Sequence, residues 1–335
     1  MRGRCLESLK HEEACRKLFD LPEIKLGIST CLLGEEVRYN GGHSLDRFLR
    51  DTLGQYVEFV PVCPEVEAGF TTPREPMRLV GDPDHPRLVT VNTKMDHTRH
   101  MIQWSRNRVA ELEGEGLCGF IFKSRSPSSG MERVKVYSEK GMPVKKGVGL
   151  FARAFMDRFP LLPVEEDGRL HDPVLRENFI ERIFALGRWR ETCSLRKTRN
   201  RLVRFHTRHK LVIMSHGQAP LREMGRLVAR ASDMPTGELY TRYQRLLLAS
   251  LKLKATRKKH TNVLQHIQGY FKRALSGDEK REISEIIESY RRGDYPLIVP
   301  ITLLNHHVRK YEEPYLRDQF YLQPHPLELK LRNHV

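Results

Sequence analysis

Short apolar runs rich in β-branched residues alternate with loops and helix-like stretches along the first half of the chain. The runs IKLGIST, YVEFVPV, RLVTVNT and GFIFK are typical of strands, and Val134–Tyr137 predicts a further one. Between them, His97–Gly114 has the spacing of apolar residues that indicates a helix. Because strands that alternate with helices favour parallel βαβ units, we predict an α/β domain with a Rossmann-like parallel sheet over residues 22–165.

The second half has a different pattern. From Asp172 onward, apolar residues recur three and four positions apart, which is the period of a helix. The pattern begins in PVLRENFIERIFALGRWRETC and returns in ELYTRYQRLLLASLKLK, TNVLQHIQGYFKRAL and KREISEIIESYRRG. We therefore predict an all-α domain over residues 170–330, with Leu161–Arg169 as the junction because its proline and glycine interrupt both patterns.

Length and composition narrow the class of protein. The 335 residues are enough for two domains, each with its own core. No apolar stretch reaches the 20 residues or so of a membrane span, and the N-terminal MRGRCLESLKHEEACRKLFD lacks the apolar run of a secretory signal. We expect a cytoplasmic protein without a membrane partner. In that compartment the six cysteines favour free, catalytic or metal-bound thiols over disulfides.

The net charge of +16 belongs almost wholly to the second half. Residues 1–165 carry 25 Lys and Arg against 23 Asp and Glu, whereas residues 166–335 carry 33 against 19. The densest basic stretch is RKTRNRLVRFHTRHK at 196–210. This asymmetry predicts RNA or DNA binding through residues 196–272, or else a solvated arginine-rich helical surface.

Two cysteines and a serine-rich turn follow three of the predicted strands. Ile24–Ser29 leads to Cys31, Val57–Val62 leads to Cys63, and Gly119–Phe122 leads to the turn SPSSG at 126–130. Ligands bind at the carboxyl ends of parallel strands, so these groups are expected to converge. Two thiols and a third position of similar size favour an iron–sulfur or other soft-metal site.

Charged side chains accompany these positions. Glu65 comes two residues after Cys63, and a partly desolvated carboxylate beside a metal site is suited to activate water as a general base. Arg38 and His43 surround an Asn-Gly-Gly turn and predict contacts to an anionic or heteroaromatic substrate. Lys123 opens the hydroxyl-rich turn, which resembles an anion-binding nest. Taken singly, these motifs could equally be a buried cysteine or a structural proline-rich loop.

In combination, these motifs resemble the thiouracil desulfurase family, catalogued as domain of unknown function 523. The resemblance covers about residues 24–155 and rests on ISTCLLG at 28–34, VRYNGGH at 37–43, VCPE at 62–65 and KSRSPSSG at 123–130. About residues 200–325 resemble the YbgA-type domain, catalogued as domain of unknown function 1722. The residues that carry this second resemblance are Phe205, HK at 209–210, MSH at 214–216, HTNVLQHIQGYFK at 260–272 and PITLL at 300–304.

The first resemblance implies a 4Fe–4S cluster that is held by three cysteines and leaves one iron open. The open iron would bind the sulfur of a thiocarbonyl, and a glutamate-activated water would displace that sulfur without net redox change. Carried over by position, Cys31 and Cys63 would be cluster ligands. Glu65 would be the base, and Ser126 would be a supporting hydroxyl or proton relay.

Ser129 departs from the family pattern, because relatives have a cysteine at this position. A hydroxyl is a harder and far less acidic ligand for iron than a thiol. Three accounts follow: Ser129 completes the cluster through its oxygen at reduced stability, Cys118 takes its place, or the cluster and the activity are lost. The predicted function is hydrolytic desulfuration of a thiolated pyrimidine or related thiocarbonyl. The alternative is a non-catalytic nucleic-acid-binding or regulatory protein.

One polar stripe in the second half stands apart from these motifs. Asn262, His266 and Tyr270 are four residues apart and therefore share one face of a predicted helix. Such a stripe could line a site, bind RNA by stacking, or form a buried hydrogen-bonded network between helices. Of these, the buried network is the preferred interpretation.

Overall fold

The computed structural model describes residues 21–138 and 141–334. The N-terminal segment considered above as a signal sequence, residues 1–20, lies outside them. The chain divides into two compact units, with Glu23–Phe179 in the first and Ile180–Val335 in the second. Each unit is described by itself.

Strands of the first unit form two four-stranded sheets. Their bounds are β1 Lys25–Ser29, β2 Glu58–Val62, β3 Met77–Gly81, β4 Pro86–Thr90, β5 Gly119–Phe122, β6 Val134–Tyr137, β7 Pro143–Gly147 and β8 Val164–Glu166. The first sheet has the order β2-β1-β5-β8, and all of its neighbours are parallel. The predicted parallel α/β sheet is therefore confirmed.

The second sheet is mixed and was not anticipated. It has the order β4-β3-β6-β7, in which β3 and β6 are parallel and the two outer pairs are antiparallel. The predicted strand RLVTVNT contributes β4 to this sheet and not to the parallel one. Period-two runs identify strands, but the choice of partner depends on contacts distant in sequence.

Three helices accompany the sheets: α1 Pro64–Glu67, α2 Thr98–Gly114 and α3 Leu150–Arg158. Helix α2 matches the predicted helix to within one residue. Helices α2 and α3 pack together, and their apolar faces meet the parallel sheet in a core that contains Phe120, Phe122, Phe151 and Phe155. This core fixes the sheet whose strand ends carry the candidate site.

The second half of the chain is mostly helical, as predicted. The helices are α4 Pro173–Ser194, α5 Arg199–His216, α6 Gln218–Ala229, α7 Thr236–Lys252, α8 Arg257–Tyr270, α9 Gly277–Arg292, α10 Ile298–Lys310 and α11 Pro314–Arg317. Ser276 and Glu279 form a reciprocal capping box at the start of α9, and Gly293 ends this helix in the left-handed conformation. In the described part of the chain, no helix is long and apolar enough to span a bilayer.

The first unit continues past the predicted junction. Within Leu161–Arg169, residues Val164–Glu166 form β8, which pairs with β5 at the edge of the parallel sheet. The division between the units falls after Phe179, later than the ranges 22–165 and 170–330 that the sequence predicts. Proline and glycine mark a change of local structure, and here they flank a short strand.

The polar stripe on α8 is exposed. Asn262, His266 and Tyr270 share one face, as predicted, but all three side chains are open to solvent. The ring of Tyr270 stacks on that of Tyr315 at a centroid distance of 5.1 Å. The buried-network interpretation of this stripe is therefore wrong.

Candidate active site

A cavity of about 490 Å³ opens at the carboxyl ends of the parallel strands. Cys31 after β1, Cys63 after β2, and the 126–130 turn after β5 all contribute to its wall. Strand order reverses between β1 and β5, because the chain adds β2 on one side of β1 and later returns to the other side. Ligands bind at such a switch point in open α/β sheets.

Cys31 lies in a short helical turn, Thr30–Leu33, that directly continues β1. Gly34 ends the turn with a φ of 101°, a left-handed conformation that glycine adopts without strain. Burial raises the pKa of the Cys31 thiol to about 11, although the charge of Lys123 opposes the rise. The nearby Cys63 thiol also raises the pKa of Cys31.

Cys63 precedes α1, whose first residue is Pro64. Its backbone N–H donates to Glu67 Oε1 at 2.8 Å, so the start of the helix is fixed. Burial also raises the pKa of the Cys63 thiol. Both thiols are thus protonated at neutral pH unless a metal displaces the proton, as metal binding to cysteine does.

The 126–130 turn is anchored on the start of α3. The carbonyl of Ser128 accepts from the backbone N–H groups of Phe151 and Ala152 at 2.9 and 3.2 Å. These donors are among those that a helix leaves unsatisfied in its first turn. Ser129 is 3% exposed and lines the cavity with both cysteines.

Gly149 permits this anchoring. A Cβ atom at this position would lie 2.5 Å from the backbone carbon and oxygen of Ser128. We expect Gly149→Ala to displace the turn, to destabilise the first unit by about 1–3 kcal/mol, and to lower any activity of the site. Thermal unfolding checks this prediction. Gly114→Ala is the matched control, since nothing lies within 4 Å of a Cβ there, and an equal loss in both variants would contradict it.

Glu65 is held on both sides of its carboxylate. Oε2 accepts from Arg74 Nε at 3.1 Å and pairs with Arg74 Nη2 as well, while Oε1 accepts from Ser128 Oγ at 2.8 Å. Both members of the ion pair are largely buried, with side-chain exposures of 15% for Glu65 and 6% for Arg74. The carboxylate therefore faces the cavity in one fixed orientation.

A chain of hydroxyl groups continues from this carboxylate. Ser128 donates to Glu65, so its oxygen is left to accept from Ser126 Oγ at 2.9 Å. Ser126 Oγ in turn accepts from the backbone N–H groups of Ser128 and Ser129. Ser126, predicted as the hydroxyl relay, is thus one step further from Glu65 than Ser128.

Lys123 is paired with Asp167, which directly follows β8. Its Nζ lies 2.6 Å from Asp167 Oδ2, and the backbone N–H of Ser124 donates to Asp167 Oδ1 at 2.7 Å. Burial alone would raise the pKa of Asp167, but these hydrogen bonds and the lysine charge hold it below its ordinary value. Lys123 lines the cavity, and Asp167 fixes its direction.

The two other predicted substrate contacts differ in position. Arg38 lines the cavity and donates from Nη1 to the His43 carbonyl at 3.4 Å. The His43 side chain is exposed, and its Nδ1 accepts from the backbone N–H of Leu45 at 3.2 Å. His43 is not among the residues that line the cavity, so the structure gives it no contact with a ligand there.

Three residues of the site escaped the sequence analysis: Arg74, Ser128 and Asp167. Arg74 also donates to the Val37 carbonyl at 3.0 Å, and thereby ties two loops of the cavity together. The Thr-Pro-Arg-Glu-Pro loop and the second serine of the turn were visible signals for the first two. Asp167 had no local signal, because its role depends on β8 pairing with β5.

The resemblance implies a 4Fe–4S cluster with three protein ligands. The buried Cys31, the half-buried Cys63 and the buried Ser129 line the same cavity. Within the described residues, no group of three His, Cys, Asp or Glu side chains is placed to hold a metal ion. Beside the two cysteines, Ser129 offers a hydroxyl, which is a weaker donor to iron than a thiol.

Cys118 is not a substitute for that donor. It precedes β5, whereas Ser129 follows the end of the same strand. Four residues of strand separate these ends by about 13 Å. Cys118 does not line the cavity.

Comparison with known families gives two matches that do not overlap. The family described as 2-thiouracil desulfurase matches residues 26–167, and the family described as a protein of unknown function, DUF1722, matches residues 210–326. The first range contains every residue of the cavity. The second range begins within α5.

Two curated proteins are similar to parts of this chain. The chain is 33% identical over 153 residues to the uncharacterized protein YbgA of Escherichia coli K12, covering 45% of this chain and 90% of YbgA. It is 31% identical over 109 residues to the uncharacterized protein YbbK of Bacillus subtilis 168, covering 31% of this chain and 71% of YbbK.

Among solved structures, the 4Fe–4S-dependent thiouracil desulfidase TudS is 27% identical in sequence to this chain. The match covers 45% of this chain and 95% of the TudS chain, with a TM-score of 0.36. The family matches and the curated relatives lead to one conclusion. The chain belongs to the 2-thiouracil desulfurase family through its first half and to the DUF1722 family, with YbgA, through its second.

Proposed function

We propose that the first unit removes sulfur hydrolytically from a thiolated pyrimidine or a related thiocarbonyl compound. In this reaction a C=S bond is replaced by a C=O bond whose oxygen comes from water, and the sulfur leaves as sulfide without net redox change. The observation that carries the proposal is the Glu65 carboxylate, fixed by Arg74 and Ser128 at a cavity that also contains Cys31 and Cys63.

Glu65 is the residue that takes a proton from the attacking water. Ser128 donates to Oε1, and Ser126 donates to Ser128, so these hydroxyl groups hold Oε1 in place and stabilise the ionised form that acts as a base. Arg74 keeps the carboxylate from rotating away from the cavity. The pair therefore supplies both a base and its orientation.

Further positive charge lines the cavity. Arg38, Lys123 and Arg125 are present there, and Lys123 is held in place by Asp167. Guanidinium and ammonium groups stabilise the negative charge that develops when a nucleophile adds to a heteroaromatic ring. They also favour a substrate that is anionic or rich in hydrogen-bond acceptors.

Cys31, Cys63 and the Ser129 oxygen are the residues that would hold the cluster. When bound, the cluster would provide an open iron that acts as a Lewis acid toward the thiocarbonyl sulfur. Because the Ser129 hydroxyl is harder and less acidic than a thiol, we propose that the cluster is held less firmly than in a site with three cysteines.

Ser129→Cys tests this proposal. After anaerobic reconstitution, we expect about four irons per chain in the variant, and fewer in the natural protein. Iron and acid-labile sulfide are measured together with sulfide release from 2-thiouracil, which should rise with cluster content. Cys118→Ala is the matched control and should leave the iron content unchanged. Absence of a cluster from both forms, or a fully loaded variant that releases no sulfide, would refute the proposed function.

The alternative of nucleic-acid binding through residues 196–272 remains a prediction. The basic stretch at 196–210 lies on and before α5, and Asn262, His266 and Tyr270 are exposed on α8. Neither family description mentions nucleic acid. Retention of the chain's RNA affinity at high salt would count against the simple electrostatic form of this prediction.

A further inference from the structure

A second cavity, of about 300 Å³, lies within the second unit and is lined by four arginines. Arg188 comes from α4, and Arg201, Arg204 and Arg208 come from one face of α5, where they are three and four residues apart. Glu191 is the carboxylate that lines the same cavity. The charged lining thus carries four positive groups against one negative group.

Aromatic packing and backbone carbonyls position these guanidinium groups. Arg188 and Arg208 lie against the ring of Phe320, with their central carbon atoms 3.9 and 4.2 Å from its centroid. Arg188 also donates to the Pro324 carbonyl at 2.7 Å, and Arg201 donates to the Arg196 carbonyl at 2.7 Å. Guanidinium groups held in this way lose little freedom when they bind an anion.

His209 adds an independent feature to this cavity. Its side chain is 1% exposed, and its ring stacks on Phe205 at a centroid distance of 3.8 Å. Nδ1 lies 2.9 Å from the Phe205 carbonyl, which can only accept, so Nδ1 carries the proton. Nε2 has no hydrogen-bond partner among the residues that the structure describes.

The state of His209 defines what it can bind. Burial, together with the charge of Arg188, lowers the pKa of the imidazole well below its ordinary value, so the ring is neutral. A neutral imidazole that is protonated at Nδ1 has a lone pair at Nε2 and is an acceptor there. A ligand that satisfies it must bring an O–H or N–H group, because the surrounding guanidinium groups disfavour a metal cation.

We propose that this cavity binds a small phosphate monoester that also carries a hydroxyl or amino group. The phosphate would pair with the arginines, and the hydroxyl or amino group would donate to His209 Nε2. A phosphate monoester suits a cavity with several guanidinium groups better than a carboxylate does, since it has three terminal oxygens and up to two negative charges. Phe205 packs against His209, and Phe320 packs against Arg188. Because these rings already contact protein side chains, the ligand does not require a nucleobase that stacks on them. This site is separate from the proposed desulfuration site.

Calorimetric titration of the full chain tests the proposal with ribose 5-phosphate, inorganic phosphate and ribose. We expect ribose 5-phosphate to bind at least about 10-fold more tightly than inorganic phosphate, and ribose not to bind. Arg204→Gln should lower the affinity for ribose 5-phosphate and for inorganic phosphate about 10-fold. Since Arg204 is exposed, this variant should fold normally. His209→Phe should reduce the affinity for ribose 5-phosphate to that for inorganic phosphate and leave the latter unchanged.

Two control variants define specificity. Arg245→Gln removes an exposed arginine of α7 that does not line this cavity. Arg38→Gln changes the cavity of the first unit. Both variants should bind ribose 5-phosphate with the affinity of the unsubstituted protein. Absence of binding by both phosphate ligands at millimolar concentration would overturn the proposal. Unchanged binding of the phosphate ligands by Arg204→Gln would also overturn it. So would a result in which the protein binds single-stranded RNA through Arg204 and does not bind ribose 5-phosphate.

Discussion

Glu65→Gln should lower the rate of sulfide release from 2-thiouracil by about 10²–10⁴-fold, the usual contribution of a positioned general base. The amide has nearly the same shape as the carboxylate and can still accept a hydrogen bond from Ser128. It cannot take a proton from water. The measurement is single-turnover release of sulfide by reconstituted protein, in the Ser129→Cys background if the natural protein holds too little cluster.

Iron content separates this effect from loss of the cofactor. Glu65→Gln should retain the iron of its parent, because the carboxylate is not among the three expected ligands. Glu58→Gln is the matched control, since Glu58 is an exposed residue of β2 whose carboxylate pairs with Lys25 outside the cavity. A Glu65→Gln variant with full iron and full rate would show that another group activates the water.

Glu181→Gln should destabilise the second unit by about 3–5 kcal/mol, since it leaves the buried Arg332 guanidinium without its counter-charge and disrupts the contact with His216. Glu181 Oε1 lies 2.8 Å from His216 Nε2, and Oε2 accepts from Arg332 Nη2 at 3.0 Å. His216 Nδ1 lies 2.5 Å from the Leu253 carbonyl. All three charged or polar side chains are 3% exposed or less, so water cannot replace the lost interactions.

The same network makes stability depend on pH. Burial alone would raise the pKa of Glu181, but His216 and Arg332 outweigh it and lower the pKa to about 2 from an ordinary 4.5. The stabilisation is complete above pH 4.5 and is lost as the pH falls toward 2. Burial lowers the pKa of His260 to about 3 from 6.5, so its contribution is lost as the pH falls below 6.5. The second unit should therefore lose stability progressively below pH 6.5.

Hydrogen exchange measured by mass spectrometry on peptides from α5 and α8 reports the second unit separately. In Glu181→Gln, the backbone amides of these peptides should exchange much faster at pH 7. The stability of this variant should also lose the part of its pH dependence that lies below pH 4.5. Glu285→Gln, at an exposed position on α9, should change the free energy of unfolding by less than about 0.5 kcal/mol. Equal protection in both variants would mean that the Glu181 network contributes little to stability.

Much of the site followed from the sequence because its parts lie at strand ends. Cys31, Cys63 and Ser129 line one cavity although they are far apart in the chain, as the parallel arrangement predicted. The separation of an α/β half from a helical half also followed from the period of the apolar residues. The division of eight strands between two sheets did not, since the apolar run of β4 is compatible with either sheet.

Hydrogen-bond partners were less predictable than positions. The resemblance implied Ser126 as a supporting hydroxyl or proton relay, whereas in the folded turn Ser128 donates to Glu65 and Ser126 donates to Ser128. His43 belongs to a motif of the resemblance, yet its side chain is exposed and does not line the cavity. In each case the direction of a side chain depends on a turn of a few residues, which residue types alone do not specify.

The sequence by itself determined the class of each half and the residue types at the strand ends, including the hydroxyl of Ser129. These depend on local periodicity and on chemical identity, both of which are written in the chain. Only the tertiary structure decided that Asp167 fixes Lys123 and that Arg74 fixes Glu65. It alone also decided that His209 and four arginines share a cavity. These contacts join residues from separate secondary-structure elements. They form, and contribute to stability, only after the sheets and helices have packed.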